Sequence, residues 1–113
     1  MAYRVVWSPK ALEDVDAIAA YIFRDSASYA ATVVQRILDS SRKLSQLPIS
    51  GPMVPEFNDG SIRELFAYTY RIIYQIQGNT VTIAAVIHGK RLLAQAHLET
   101  DEQDDRASKK YEL

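Results

Sequence analysis

The sequence predicts an α+β domain of element order βααβββ, in which a helical hairpin packs on a twisted antiparallel sheet. Three observations carry this expectation. A β-branched and aromatic run opens the chain, and two stretches of helical apolar spacing follow it. From Ile62 to Arg91 the segments IRELF, TYRIIYQI and TVTIAAVIHGKR then read as three consecutive strands, the last two joined by Gly78-Asn79.

Tyr3 to Trp7 is the first strand. Ser8-Pro9 supplies an N-cap with proline at the first helical position. Leu12, Val15, Ile18, Ala19 and Ile22 then recur at helical spacing, so a helix is expected to run to near Arg24. After a break at Asp25 to Ser28, a second helix is traced by Ala30, Val33, Val34, Ile37, Leu38, Ser41, Leu44 and Leu47, and Pro48 stops it. Pro48 to Gly60 holds three prolines and two glycines without any period, which reads as an ordered loop leading into the strand Ile62 to Phe66. Residues 1–98 are expected to form one domain, and 99–113 an acidic, mobile tail.

The Gly-Asn turn sets a register by counting outward: Gln77 faces Thr80, Tyr74 faces Ile83, Ile72 faces Ala85, Tyr70 faces Ile87 and Thr69 faces His88. Tyr70, Ile72, Tyr74, Ile76, Val81, Ile83, Ala85 and Ile87 thereby share an apolar face, which the helices must cover. The opposite face holds Thr69, Arg71, Gln75, Gln77, Thr80, Thr82 and His88, diluted by Ile73, Ala84 and Val86. It is expected to be wet, with Arg71 and His88 on the same side.

Composition narrows the chemistry. The chain has no cysteine, which removes thiol catalysis, thiolate metal sites and disulfides, and fits a cytoplasmic protein. No apolar run approaches the roughly 18 residues of a membrane span. Residues 1–98 carry ten basic and eight acidic side chains, whereas 99–113 carry three and six, so a body near +2 precedes a tail near −3. Such a body binds naked nucleic acid weakly, because phosphate neutralisation supplies most non-specific affinity. His88 and His97 are the only histidines and have no third ligand at a convincing spacing, so no zinc site is expected. There is no glycine-rich phosphate loop and no cofactor is expected.

The candidate functional residues lie in the last three strands. Arg71, between tyrosines in YTYRIIY, reads either as a strand arginine paired with a carboxylate or as an anion-binding cation. His88, followed by Gly89, Lys90 and Arg91, places two cations beside one imidazole at a strand end. Arg63 sits on the neighbouring strand, where a salt bridge to Glu64 or to a helix carboxylate is the structural alternative. Glu13, Asp14 and Asp16 read as the solvated face of the first helix, and Tyr3, Tyr21 and Tyr29 as packing residues.

The ordered set VVWSPKALEDVDAIAAYI, LSQLPISGPMVPEF, IRELFAYTYRIIYQI and VIHGKRLL resembles the RelE/ParE superfamily of bacterial toxins over about residues 3–93. The resemblance implies a toxin of a type II toxin–antitoxin pair. A cognate antitoxin would hold it inactive, as a homodimer or in a heterotetramer, and operator DNA would be bound through the antitoxin complex. RelE-like members are ribosome-dependent mRNA endoribonucleases, and ParE-like members poison DNA gyrase. Within the first branch the resemblance implies phosphate-binding roles for Arg63, Arg71 and Arg91, and proton transfer by Glu56 or His88; Lys90 joins the same functional surface. The loop Pro48 to Phe57, however, contains no lysine or arginine where RelE-like nucleases place a lysine pair, and no tyrosine follows Arg91 before Tyr111. The GPMVPE loop and the SPKALEDVDAIAAYI opening look closer to ParE, so a gyrase poison is the expected function. The alternatives are the ribosome-dependent nuclease and a degenerate, non-toxic antitoxin-binding module.

Overall fold

The computed structural model describes residues 2–90. The expectations for Arg91, His97 and the acidic tail lie outside the described residues.

The chain runs β1 (Arg4–Trp7), α1 (Pro9–Phe23), α2 (Ala27–Arg42), two short 3-10 turns (Lys43–Ser45 and Pro48–Ser50), β2 (Ile62–Ala67), β3 (Tyr70–Gln77) and β4 (Thr80–His88). The sheet order is β1-β4-β3-β2. β2, β3 and β4 are antiparallel neighbours as expected. β1 adds to the edge of β4 in parallel, with Val5 opposite Val81, which makes the sheet mixed. A parallel neighbour needs a crossover, and here α1, α2 and the strands after them supply it.

Both helices start where side-chain chemistry starts them. Ser8 Oγ accepts from the Ala11 amide at 3.0 Å with Pro9 at the first helical position, and Ser26 Oγ accepts from the Tyr29 amide at 3.1 Å. The helix-facing sheet surface and the hairpin enclose the main core, built around Ala11, Val15, Val33, Ile37, Leu44, Ile72, Tyr74, Val81, Ile83 and Val86. Tyr74 is fully buried and its hydroxyl donates to the Pro48 carbonyl at 2.5 Å. The phenol proton is thereby satisfied inside the core, and desolvation raises the Tyr74 pKa above the usual tyrosine value.

Two details of the helical stripes differ from expectation. Leu12 and Leu47 are exposed, and Ala11 takes the buried position at the start of α1. α2 ends at Arg42, and a 3-10 turn carries Leu44 into the core.

The β3–β4 register holds for its first four pairs, from Gln77↔Thr80 to Tyr74↔Ile83, and then shifts by one. Ile73 faces Ala85, Ile72 faces Val86, Arg71 faces Ile87 and Tyr70 faces His88. Ala84 is the extra residue of a β-bulge. The bulge is held from α1: Ser8 Oγ donates to the Ala84 carbonyl at 3.1 Å, and the Asp14 carboxylate accepts from the Val86 amide at 2.9 Å while pairing with Lys10. Asp14 is therefore a structural anchor and not part of a solvated face. Beyond the bulge each residue of β4 changes side: Val86 and His88 turn to the helices, and Ala85 and Ile87 to the far face.

That far face is not wet along its length. Ala85, Ile87 and Ile73 form a second small core with Val54, which the loop after Gly51 folds back to supply, with Phe57 and Ile62 packed around it. Met53 bridges to Arg63. The loop approaches closely at Gly51, where a Cβ would run into the Glu64 carbonyl oxygen and the Tyr74 hydroxyl, so only glycine fits.

Candidate functional site

Arg71 emerges from β3 onto the far face, beneath the loop that carries Glu56 and beside β2, which carries Glu64. Its Nε donates to Glu64 Oε1 at 2.6 Å, and its Nη1 and Nη2 donate to the two oxygens of Glu56 at 3.0 and 2.9 Å. Arg71 and Glu64 are each only 5% exposed, so the expectation of a surface arginine on a wet face is overturned. The reason is the loop: Val54 and Phe57 seal the face, and the guanidinium is then dry and must be paired. Hydrogen bonding to Glu56 is the main cause of an Arg71 pKa above the ordinary arginine value; burial opposes it, and Glu64 adds to it. Among the described residues, one guanidinium and two carboxylates meet in this cluster.

The other candidates are dispersed. Arg63 forms no salt bridge among the described residues; it donates from Nε to the Gly60 carbonyl and from Nη1 to the Gly51 carbonyl, both at 2.9 Å, and so ties the two ends of the loop together. His88 lies on the helix side of the sheet, opposite Tyr70, and not beside Arg71 as expected. The bulge is the cause. Its ring meets Tyr70 edge-on at 5.8 Å and its Nδ1 accepts from the Lys90 amide at 3.2 Å. Lys90 is exposed next to it. The arrangement therefore joins Glu56 with Arg71 in one cluster, assigns Arg63 to the loop, and sends His88 and Lys90 to another surface. No group of three or more metal-ligating side chains occurs among the described residues, and no described helix is long and apolar enough to cross a membrane.

Sequence reasoning missed Glu64 as the inner partner of Arg71. Counting back from the two-residue break at Tyr68-Thr69 pairs Phe66 with Arg71 and Glu64 with Ile73, which puts Glu64 and Arg71 on one face as diagonal neighbours. That turn lacks glycine or asparagine, so its signal is weak. The reason lies in Tyr68, which adopts a left-handed φ of 55° that such a turn normally gives to glycine.

A family model described as the ParE toxin of type II toxin–antitoxin systems, parDE, matches residues 5–93. A comparison with curated proteins found no match. Among solved structures, a chain of the chromosomal ParDE system from P. aeruginosa is similar at 22% identity, over 77% of this chain and 96% of that one, with a TM-score of 0.64. An arginine double mutant of the E. coli toxin RelE, in the free state, is similar at 15% identity over 90% of this chain and 99% of that one, also at 0.64. A chain of the toxin–antitoxin complex RelBE2 from Mycobacterium tuberculosis is similar at 24% identity over 78% and 92%, at 0.54. At these identities the structural likeness is one of fold.

Proposed function

The chain belongs to the ParE toxin family of type II toxin–antitoxin systems, and from that premise we propose that it poisons DNA gyrase and does not cut mRNA. The observation that carries this reading is the state of Arg71 and Glu56. A ribonuclease of the alternative branch needs a guanidinium turned toward a phosphate and a carboxylate or imidazole ready to move a proton. Here the guanidinium is committed to two carboxylates, Glu56 is held against it, and Arg63 is bound to backbone carbonyls. His88 faces the other side of the sheet, and the loop from Pro48 to Phe57 offers no lysine.

In this reading a cognate antitoxin neutralises the toxin in the cytoplasm, gyrase is its target, and operator DNA is bound only through the toxin–antitoxin complex. The test uses purified protein with gyrase and supercoiled plasmid. Gyrase-dependent cleaved DNA is expected to accumulate. Cleavage of ribosome-bound mRNA at codon boundaries, with gyrase unaffected, refutes the proposal; inactivity in both assays points to the degenerate binding module.

A further inference from the structure

One end of the domain gathers exposed aromatic side chains and arginines that lie outside the Arg71 cluster. At the β2–β3 turn, Tyr68 lies beneath the Arg36 guanidinium, 4.5 Å from ring centroid to carbon, and 6.2 Å from the ring of Tyr29. Arg24 lies over Tyr21 at 5.6 Å. Tyr70 and His88 adjoin through their rings, and the Gly89 amide bonds the Thr69 carbonyl, which brings Lys90 to the same turn. Tyr21, Tyr29 and Tyr68 are 66, 49 and 41% exposed, so this aromatic surface faces solvent.

The backbone indicates that the Tyr68 side chain is needed there. In the β3–β4 hairpin the first turn residue is Gly78 with a φ of 58°; in the β2–β3 hairpin the equivalent residue is Tyr68 with a φ of 55°. Glycine adopts that conformation without strain and tyrosine does not. Strain retained under an exposed side chain points to a surface that binds something.

The charges select the ligand. Arg24, Arg36 and Lys90 form no ion pair among the described residues, and Asp25 is the acidic neighbour in sequence. A guanidinium held over a tyrosine ring still has N–H donors with which to grip a carboxylate through two hydrogen bonds. Tyr68 already packs against Arg36 and Tyr29, so it is a poor platform for stacking a base. A second copy of the same surface would bring like charges together. The fitting occupant is an acidic peptide.

We propose that this end of the domain is the docking surface for the chain's own carboxylate-rich stretch, residues 99–113. Six acidic side chains fall in that stretch, and the chain departs toward it from Lys90, within the surface itself. Asp101 lies eleven positions beyond Lys90, a reach of up to roughly 40 Å, so the carboxylates at 101, 102, 104 and 105 have access to both arginines. Tethering gives such a segment an effective concentration in about the millimolar range, enough to compete with any other acidic ligand of this surface. The inference goes beyond gyrase poisoning and does not depend on it.

The absence of cysteine makes the test clean. A spin label on Ser108→Cys in the full chain is expected to broaden the amide signals of Tyr29, Arg36, Tyr68 and Gly89, and to spare Gly78, Asn79 and Arg4 at the other end of β4. The broadening should disappear at about 0.5 M salt, where screening falls to a few ångströms, and when Asp101, Glu102, Asp104 and Asp105 are replaced by Asn or Gln. Arg24→Gln with Arg36→Gln should also remove it. Broadening equal at both ends, or unaltered by salt and by the carboxylate substitutions, overturns the proposal.

Discussion

Arg71→Ala is the substitution for which the structure and a surface reading of the sequence disagree most. If Arg71 stood on a wet face, its removal would change stability by about 0.5 kcal/mol or less. The guanidinium instead makes three hydrogen bonds to Glu56 and Glu64 and is almost fully buried, as is Glu64. Removing it leaves a carboxylate in a dry site without its cation, a change that typically costs about 3–5 kcal/mol. Most of that cost belongs to Glu64, because the Glu56 side chain is 25% exposed and partly solvated. At about 4 °C per kcal/mol for a domain of this size, the melting temperature should fall by ~12–20 °C. Because the Arg71 pKa is raised, its contribution is fully present below the ordinary arginine value and is lost only as pH rises through the still higher folded value, so the penalty should be constant from pH 6 to about 9 as far as arginine titration is concerned. Arg71→Met combined with Glu64→Gln and Glu56→Gln should recover most of the loss, since neutral replacement of a whole buried ion network is often tolerated. Urea and thermal melts measure both variants. A loss under about 1 kcal/mol for Arg71→Ala would show that the loop does not seal the far face, and the argument against a nuclease site would lose its main support.

Three further outcomes are expected. Asp14→Ala removes the acceptor of the Val86 amide and should cost about 1–3 kcal/mol, with hydrogen exchange at Val86 accelerated more than at Ile76, which lies away from the bulge. Gly51→Ala should destabilise by about 1–3 kcal/mol through overpacking, and its chemical-shift changes should centre on Glu64 and Tyr74, the two residues its Cβ would meet. Tyr74 has a pKa raised by desolvation, so the stability it contributes is present below about pH 10 and is lost as pH rises through the folded value; Tyr74→Phe should flatten that alkaline decline in melts between about pH 9 and 11.

Legibility in the sequence followed the range of the interactions concerned. Gly78-Asn79 is a local signal, and the pairs nearest it are in the expected register. Ser8-Pro9 is equally local, and α1 begins there. The bulge at Ala84 is held by Ser8 and Asp14, 76 and 72 residues away along the chain for their respective bonds, and nothing in the TVTIAAVIH segment marks it. One misplaced residue then moved His88 away from Arg71. The burial of Arg71 was hidden for a related reason: the loop with Val54, Glu56 and Phe57 has no period from which to infer that it folds back over the sheet. Arg71 itself was legible as a residue of consequence, and pairing with a carboxylate was one of its two readings.

The measurement that bears most directly on the functional reading is a time course in cells expressing the full chain without its antitoxin. Gyrase poisoning predicts that DNA-damage signalling rises first, while bulk mRNA remains intact and translation continues. Codon-boundary cleavage of mRNA appearing before any DNA-damage signal would contradict it, and would require the Arg71–Glu56–Glu64 cluster to open on the ribosome.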